Sequence, residues 1–146
     1  MAREIFTIGH SNHSIEAFLG LLARADVEVL VDVRSQPSSR YSPHFNEEAL
    51  RAAVIAAGRK YLYLGRELGG RPQGREFYDA EGYVLYGQVA ASALFGSGLA
   101  RLLRGSERYR VAIMCSEENP DGCHRRLLVG RVLGGHGATV THVRGD

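Results

Sequence analysis

The chain has 146 residues, 45% hydrophobic and 23% charged, proportions of an ordinary globular protein that exclude disorder, collagen and coiled coil. A formal net charge of +2 gives no case for a nucleic-acid binder from charge alone. No apolar run reaches the roughly 18 residues of a membrane span, and the opening MAREIFTIGHSNHS lacks a signal-peptide pattern, so a cytoplasmic protein with no membrane partner is expected.

The first predicted strand is EIFTIG at 4–9, a short β-branched and aromatic run ending in glycine. Ser14 then caps a helix whose Ile15, Phe18, Leu19 and Leu22 recur at helical spacing. VEVLVDV at 27–33 is a near-continuous apolar run, the kind that a parallel sheet covers on both faces. Asn46 opens a second helix, with Glu47 and Glu48 in the first turn where acids suit the dipole, and with Leu50, Ala53, Val54 and Ala57 inward. Gly58 closes it.

KYLYL at 60–64 reads as the third strand, and GRELGGRPQGREFYDAEG at 65–82 as a long connection. Tyr83 to Leu103 has a helical pattern that FGSG at 95–98 is expected to break or kink. YRVAIMC at 109–115 is the fourth strand. A helix after GCHRR sets Leu127, Leu128, Val132 and Leu133 on one side, GGHG at 134–137 ends it, and ATVTHV at 138–143 is the last strand. Internal repeats and linkers are absent from the sequence, so residues 1–146 are read as a single α/β domain. Its architecture is a mostly parallel central sheet of about five strands with helices on both faces. A domain of this size buries roughly 68–70% of the surface its unfolded chain exposes, enough for one real core.

In such sheets ligands sit outside the carboxyl ends of the strands. That edge receives His10 and Ser11 after the first strand, Asp32 and Arg34 at the end of the second, Arg66 after the third, and Cys115 with Glu117 after the fourth. Two long connections on the same side, RSQPSSRYSPHF and GRELGGRPQGREFYDAEG, are rich in arginine, whose planar fork holds phosphate or carboxylate through two parallel hydrogen bonds. Of the 18 basic residues only Lys60 is a lysine, which a genome-wide codon bias explains more cheaply than function does.

In MCSEENPDGCHRRLL, at 114–128, Asn119 or Asp121 caps the following helix and Pro120 suits its first turn. Cys123, His124 and Arg125 then fall near its amino end, where N–H groups and the dipole attract anions and lower a thiol's pKa. In the cytoplasm Cys115 and Cys123 remain thiols, so reactive, metal-binding and simply buried roles stay open for both. Asp32 has an equally plain alternative, capping a turn through the backbone of the SQP segment. A phosphatase-type loop needs an arginine six positions after the strand-end cysteine, and Asp121 stands there. A closed zinc site needs four spaced ligands, so no metal is assigned, although Cys115, Glu117, Cys123, His124 and His10 offer an unusual set. The glycines after the third strand match neither the dinucleotide nor the P-loop order. No cofactor or oligomeric state follows from these residues.

TIGHS at 7–11, DVRSQPSSR at 32–40 with Phe45, YLGRELGG at 63–70 and MCSEENPDGCHRRLL together resemble the domain of unknown function family 488 (DUF488). The resemblance spans nearly the whole chain, and CHRR preceded by Cys-Ser-Glu is its most specific part. It implies a compact cytoplasmic α/β protein of prokaryotic type with no established reaction. It also directs suspicion to His10, Ser11, Asp32, Arg34, Arg40, Cys115, Glu117, Cys123, His124 and Arg125.

The leading expectation is a pocket at the carboxyl edge that binds a small phosphate- or carboxylate-bearing ligand for hydrolysis or group transfer. Arg34, Arg40 and Arg125 would hold the anion, with His10 and Ser11 beside it. Cys115 or Cys123 would be the nucleophile, and Asp32, Glu117 or His124 would transfer protons. One alternative is a nucleic-acid module in which Arg34, Arg40, Arg66, Arg71 and Arg75 grip phosphates while Tyr41, Phe45, Tyr63, Phe77 and Tyr78 stack on bases. The other is a metal-binding or redox-sensing protein built on Cys115, Cys123 and His124.

Overall fold

The computed structural model describes residues 3–10, 13–34, 37, 43–68, 74–115 and 138–143. Five strands form one sheet: β1 (Arg3–Gly9), β2 (Val29–Asp32), β3 (Lys60–Tyr63), β4 (Val111–Cys115) and β5 (Ala138–Val143). Their order across the sheet is β3-β2-β4-β1-β5, and every pairing is parallel. The α/β class and the five strands thus follow the expectation, with a sheet that is wholly rather than mostly parallel among the described residues.

Parallel strands are covered on both faces, and alternate side chains divide the core accordingly. On one face, Phe6, Ile8, Leu30, Ala112 and Met114 pack against Phe18, Leu21 and Leu22 of α1 (Ile15–Arg24) and Leu50 and Val54 of α2 (Glu47–Ala56). On the other, Ile5, Val29, Val31, Val111 and Ile113 meet Leu68 of α3 (Gly65–Leu68), Val89 of α4 (Tyr86–Ala90) and Phe95, Leu99 and Leu102 of α5 (Ala93–Arg108).

Ser14 caps α1 as expected, its hydroxyl accepting from the Ala17 N–H at 3.1 Å. Asn46 stands at the N-cap of α2 with no side-chain capping bond, so that helix rests on its buried Leu50 and Val54. Gly58 takes a left-handed φ of 81° just past α2, a conformation that costs glycine little. The connection at 65–82 has structure of its own, comprising α3, a 3-10 turn at Arg75–Phe77 and an antiparallel bridge between Tyr78 and Val84. The helix expected over 127–133 lies outside the described residues.

One expectation is corrected. FGSG does not break a helix; the interruption falls earlier, where α4 ends at Ala90 and Ser92 caps α5 by accepting from Phe95 N–H at 3.2 Å. α5 then runs through both glycines, because the apolar face of Phe95, Leu99 and Leu102 outweighs a propensity loss of about 1 kcal/mol per glycine. Gly98 also has a packing reason to be there. It is buried, and a methyl group on it would overlap the Glu67 side chain and lie 3.2 Å from Leu68 Cγ on α3.

The two glycines should therefore respond in opposite ways. Gly98→Ala forces α5 away from α3 and should destabilise the protein by about 1–3 kcal/mol. Gly96→Ala, exposed and with nothing near the added methyl, should stabilise it by about 0.5–1 kcal/mol. Urea unfolding of the two variants beside the unaltered protein checks both signs.

Candidate functional site

β2 carries the chemistry of the carboxyl edge. Residues two apart on a strand share a face, so Asp32 and Arg34 point the same way, and Arg34 folds back onto the acid. Its Nε donates to Asp32 Oδ1 at 2.9 Å and its Nη2 to Oδ2 at 2.8 Å. The Arg34 backbone N–H also donates to Oδ1 at 3.1 Å, a local side-chain to backbone bond that falls on Arg34 rather than on the SQP segment expected to take it. Both side chains are buried, Asp32 at 0% and Arg34 at 3% exposure. Burial makes such a pair depend on mutual satisfaction, since either partner alone would be an uncompensated charge in the interior.

β3 supplies the next layer. The Tyr61 hydroxyl donates to Asp32 Oδ2 at 2.6 Å, and the Tyr63 hydroxyl donates to the Arg34 carbonyl at 2.7 Å. Asp32 then accepts four hydrogen bonds, which fills the lone-pair positions of a carboxylate. Burial pushes the Tyr61 hydroxyl far above the ordinary tyrosine range, and its bond and proximity to anionic Asp32 push it further; Tyr63 is raised by burial and then by Asp32 and Glu47. Gly65 keeps this arrangement open, because a methyl group there would overlap both the Arg34 carbonyl and the Tyr63 hydroxyl.

One nitrogen of the cluster is not engaged. Arg34 Nη1 is buried and has no hydrogen-bond partner among the described residues.

Across the sheet, β4 lies between β2 and β1, with Met114 level with Asp32 and with Ile8, and Cys115 level with Gly9. The Val33 N–H donates to the Met114 carbonyl at 3.1 Å, so the end of β2 stays locked to β4 up to the level of the pair. The Cys115 backbone accordingly stands at the carboxyl edge between the strand bearing Asp32 and Arg34 and the strand that leads into His10. His10 is buried and stacks on Phe45, ring centroids 4.5 Å apart and planes 19° from parallel; Phe45 in turn meets Phe18 edge-on at 5.0 Å. His44 donates from Nε2 to the His13 carbonyl at 2.8 Å.

Of the suspected residues, the structure joins Asp32 to Arg34 and sets His10 and the Cys115 backbone on the same edge. Ser11, Arg40, Glu117, Cys123, His124 and Arg125 lie outside the described residues. Of the residues in the nucleic-acid alternative, Arg66 and Arg75 are exposed, whereas Phe45 is wholly buried, Phe77 packs on the core and Tyr63 is engaged with Arg34. Arg71 and Tyr41 lie outside the described residues. Among the described residues no three His, Cys, Asp or Glu side chains converge to hold a metal, and no helix is long and apolar enough to cross a membrane.

Sequence reasoning missed Tyr61 and Gly65. A signal for Tyr61 existed, since K-Y-L-Y repeats tyrosine at the strand period beside a strand that ends in a buried acid. No sequence cue announces Gly65, whose constraint comes from a hydroxyl two residues earlier crossing to another strand.

The fold and this edge define a parallel α/β protein with a buried acid-arginine pair where the strands end. The family model described as "Domain of unknown function DUF488" matches residues 14–132, most of the chain, and the protein belongs to that family. Comparisons with curated proteins and with solved structures each give no significant match.

Two consequences can be measured. Asp32→Ala strands a buried guanidinium and should cost about 3–5 kcal/mol, whereas a Met at position 34 in the same chain should recover part of that loss; a double-mutant cycle in urea reads the difference. Tyr61→Phe should cost about 1.5–3 kcal/mol by removing a bond to a charged group. The folded chain holds the Tyr61 proton more tightly than the unfolded chain, which releases it as pH passes about 10. Stability should therefore fall with rising pH above that point, and more gently in Tyr61→Phe than in the unaltered protein.

Proposed function

We propose that the carboxyl edge of the sheet binds a small ligand bearing a phosphate or carboxylate group, for hydrolysis or group transfer in the cytoplasm. The observation that carries this reading is Arg34 Nη1, a buried guanidinium donor with no partner among the described residues, on a side chain that Asp32 locks from its other edge. A buried donor left without a partner costs about 1–3 kcal/mol or more, and such positions persist where a ligand takes the bond.

In this reading Arg34 holds the ligand's oxygen, with Arg40 and Arg125 as further cations and His10 and Ser11 beside it. Cys115 or Cys123 is the nucleophile, and His124 or Glu117 moves the proton. Asp32 orients Arg34 rather than carrying a proton, because its acceptor positions are filled by Arg34 and Tyr61. The central position of β4 favours Cys115, since its strand ends between those bearing Arg34 and leading to His10. Among the described residues, neither the nucleic-acid alternative nor the metal or redox alternative has a comparable observation behind it.

The test is iodoacetamide labelling of Cys115 and Cys123, followed separately by mass spectrometry across pH. One thiol should titrate well below the unperturbed value of about 8.5. Acetate should slow its labelling, and Arg34→Lys, checked for native circular dichroism, should abolish that protection. If both thiols stay slow at every pH, or acetate has no effect on a reactive one, the reading is wrong.

A further inference from the structure

The charge balance around Arg34 narrows the class of ligand, on the reading that Nη1 is a ligand donor. Asp32 lies 2.8 Å from the guanidinium, is wholly buried, and cancels its charge. Both neighbouring tyrosines turn their hydroxyl hydrogens inward, Tyr61 to Asp32 and Tyr63 to the Arg34 carbonyl, so neither bond is offered outward. Among the described residues the site therefore presents a fixed, directional N–H without a surplus of positive charge.

Such a donor suits some oxygens and not others. A neutral carbonyl oxygen asks only for a hydrogen bond, and a singly charged oxygen gains a charge-assisted one. A doubly charged phosphate brought into the interior needs compensating cations for each charge, and here it would approach Asp32 as well. The sequence points the same way, because Asp121 stands where a phosphatase-type loop after Cys115 requires arginine.

We infer that Arg34 receives an oxygen carrying at most one negative charge, of carbonyl, carboxylate or phosphodiester type, and discriminates against a phosphate dianion. Arg40 and Arg125, named for the same ligand, lie outside the described residues, and the experiment weighs their contribution directly.

The full chain is labelled with nitrogen-15, and the Arg34 Nε–Hε signal is assigned by through-bond correlation from its own backbone amide, so no variant is required. Acetate, dimethyl phosphate and methyl phosphate are titrated at one pH above neutrality and constant ionic strength. The first two are singly charged and the last doubly charged. Acetate and dimethyl phosphate should move the signal saturably, and methyl phosphate should bind about tenfold more weakly or worse than dimethyl phosphate. Methyl phosphate binding as tightly as its diester would overturn the inference while leaving the anion site standing, and would mean that further arginines supply the missing charge. A signal unmoved by all three probes would overturn the site itself, and the inference with it.

Discussion

The carboxyl edge of this sheet is organised by one buried ion pair. Asp32 and Arg34 sit two residues apart at the end of a strand covered on both faces, where neither charge is tolerable alone. Satisfying them recruits more of the chain than the pair itself. Two tyrosines of β3 must reach over, one to the carboxylate and one to the carbonyl behind the guanidinium, and Gly65 must have no side chain at the point where that second bond passes. The parallel pairing of β2 with β3 supplies the reach, because Tyr61 and Tyr63 lie level with Leu30 and Asp32. Sheet register, tyrosine placement and a single glycine are thus consequences of keeping one acid and one arginine charged out of water.

The topology explains why this pair belongs to an edge rather than to a strand interior. β4 is inserted between β2 and β1, so chain segments distant in sequence end side by side: His10 after β1, Arg34 after β2 and Cys115 at the tip of β4. Two strand spacings separate β1 from β2, about 10 Å, a width across which a small molecule can touch both. The pair lies at the strand ends on the face covered by α1 and α2, the face that also carries the His10, Phe45 and Phe18 rings.

Much of this was legible in the sequence because strand and helix periods are local. The runs at 4–9, 27–33, 60–64, 109–115 and 138–143 each overlap one of the five strands, and the rule that ligands meet strand carboxyl ends points to His10, Asp32, Arg34 and Cys115 along with Ser11, Arg66 and Glu117. What is not legible there depends on contacts between segments far apart in the chain. FGSG looks like a helix breaker on local propensity, yet α5 continues through it, since Gly98 packs against Glu67 and Leu68 of α3 and the buried face of Phe95, Leu99 and Leu102 outweighs the glycine penalty. Tyr61 reads as an ordinary strand residue until its neighbour across the ladder is known. Gly65 is one glycine among 18, and only the Arg34 carbonyl and the Tyr63 hydroxyl mark it.

The distinction between a structural and a functional pair turns on what the arginine leaves over. An acid and a base buried only for stability gain little over apolar side chains of similar volume, because desolvation consumes most of the attraction. Arginine has five N–H donors in a fixed plane, and Asp32 engages one edge of it through Nε and Nη2. A lysine could neutralise Asp32 as a compact charge, but it could not be held by one edge while offering a donor from another. The residue chosen here is the one whose geometry permits both, and Nη1, buried and without a partner among the described residues, is the part that neutralising Asp32 does not explain. With its charge cancelled by Asp32 and its orientation fixed by two parallel bonds, the guanidinium acts by direction rather than by net charge. The identity of its ligand is therefore governed by where the acceptor oxygen sits and how little charge it brings.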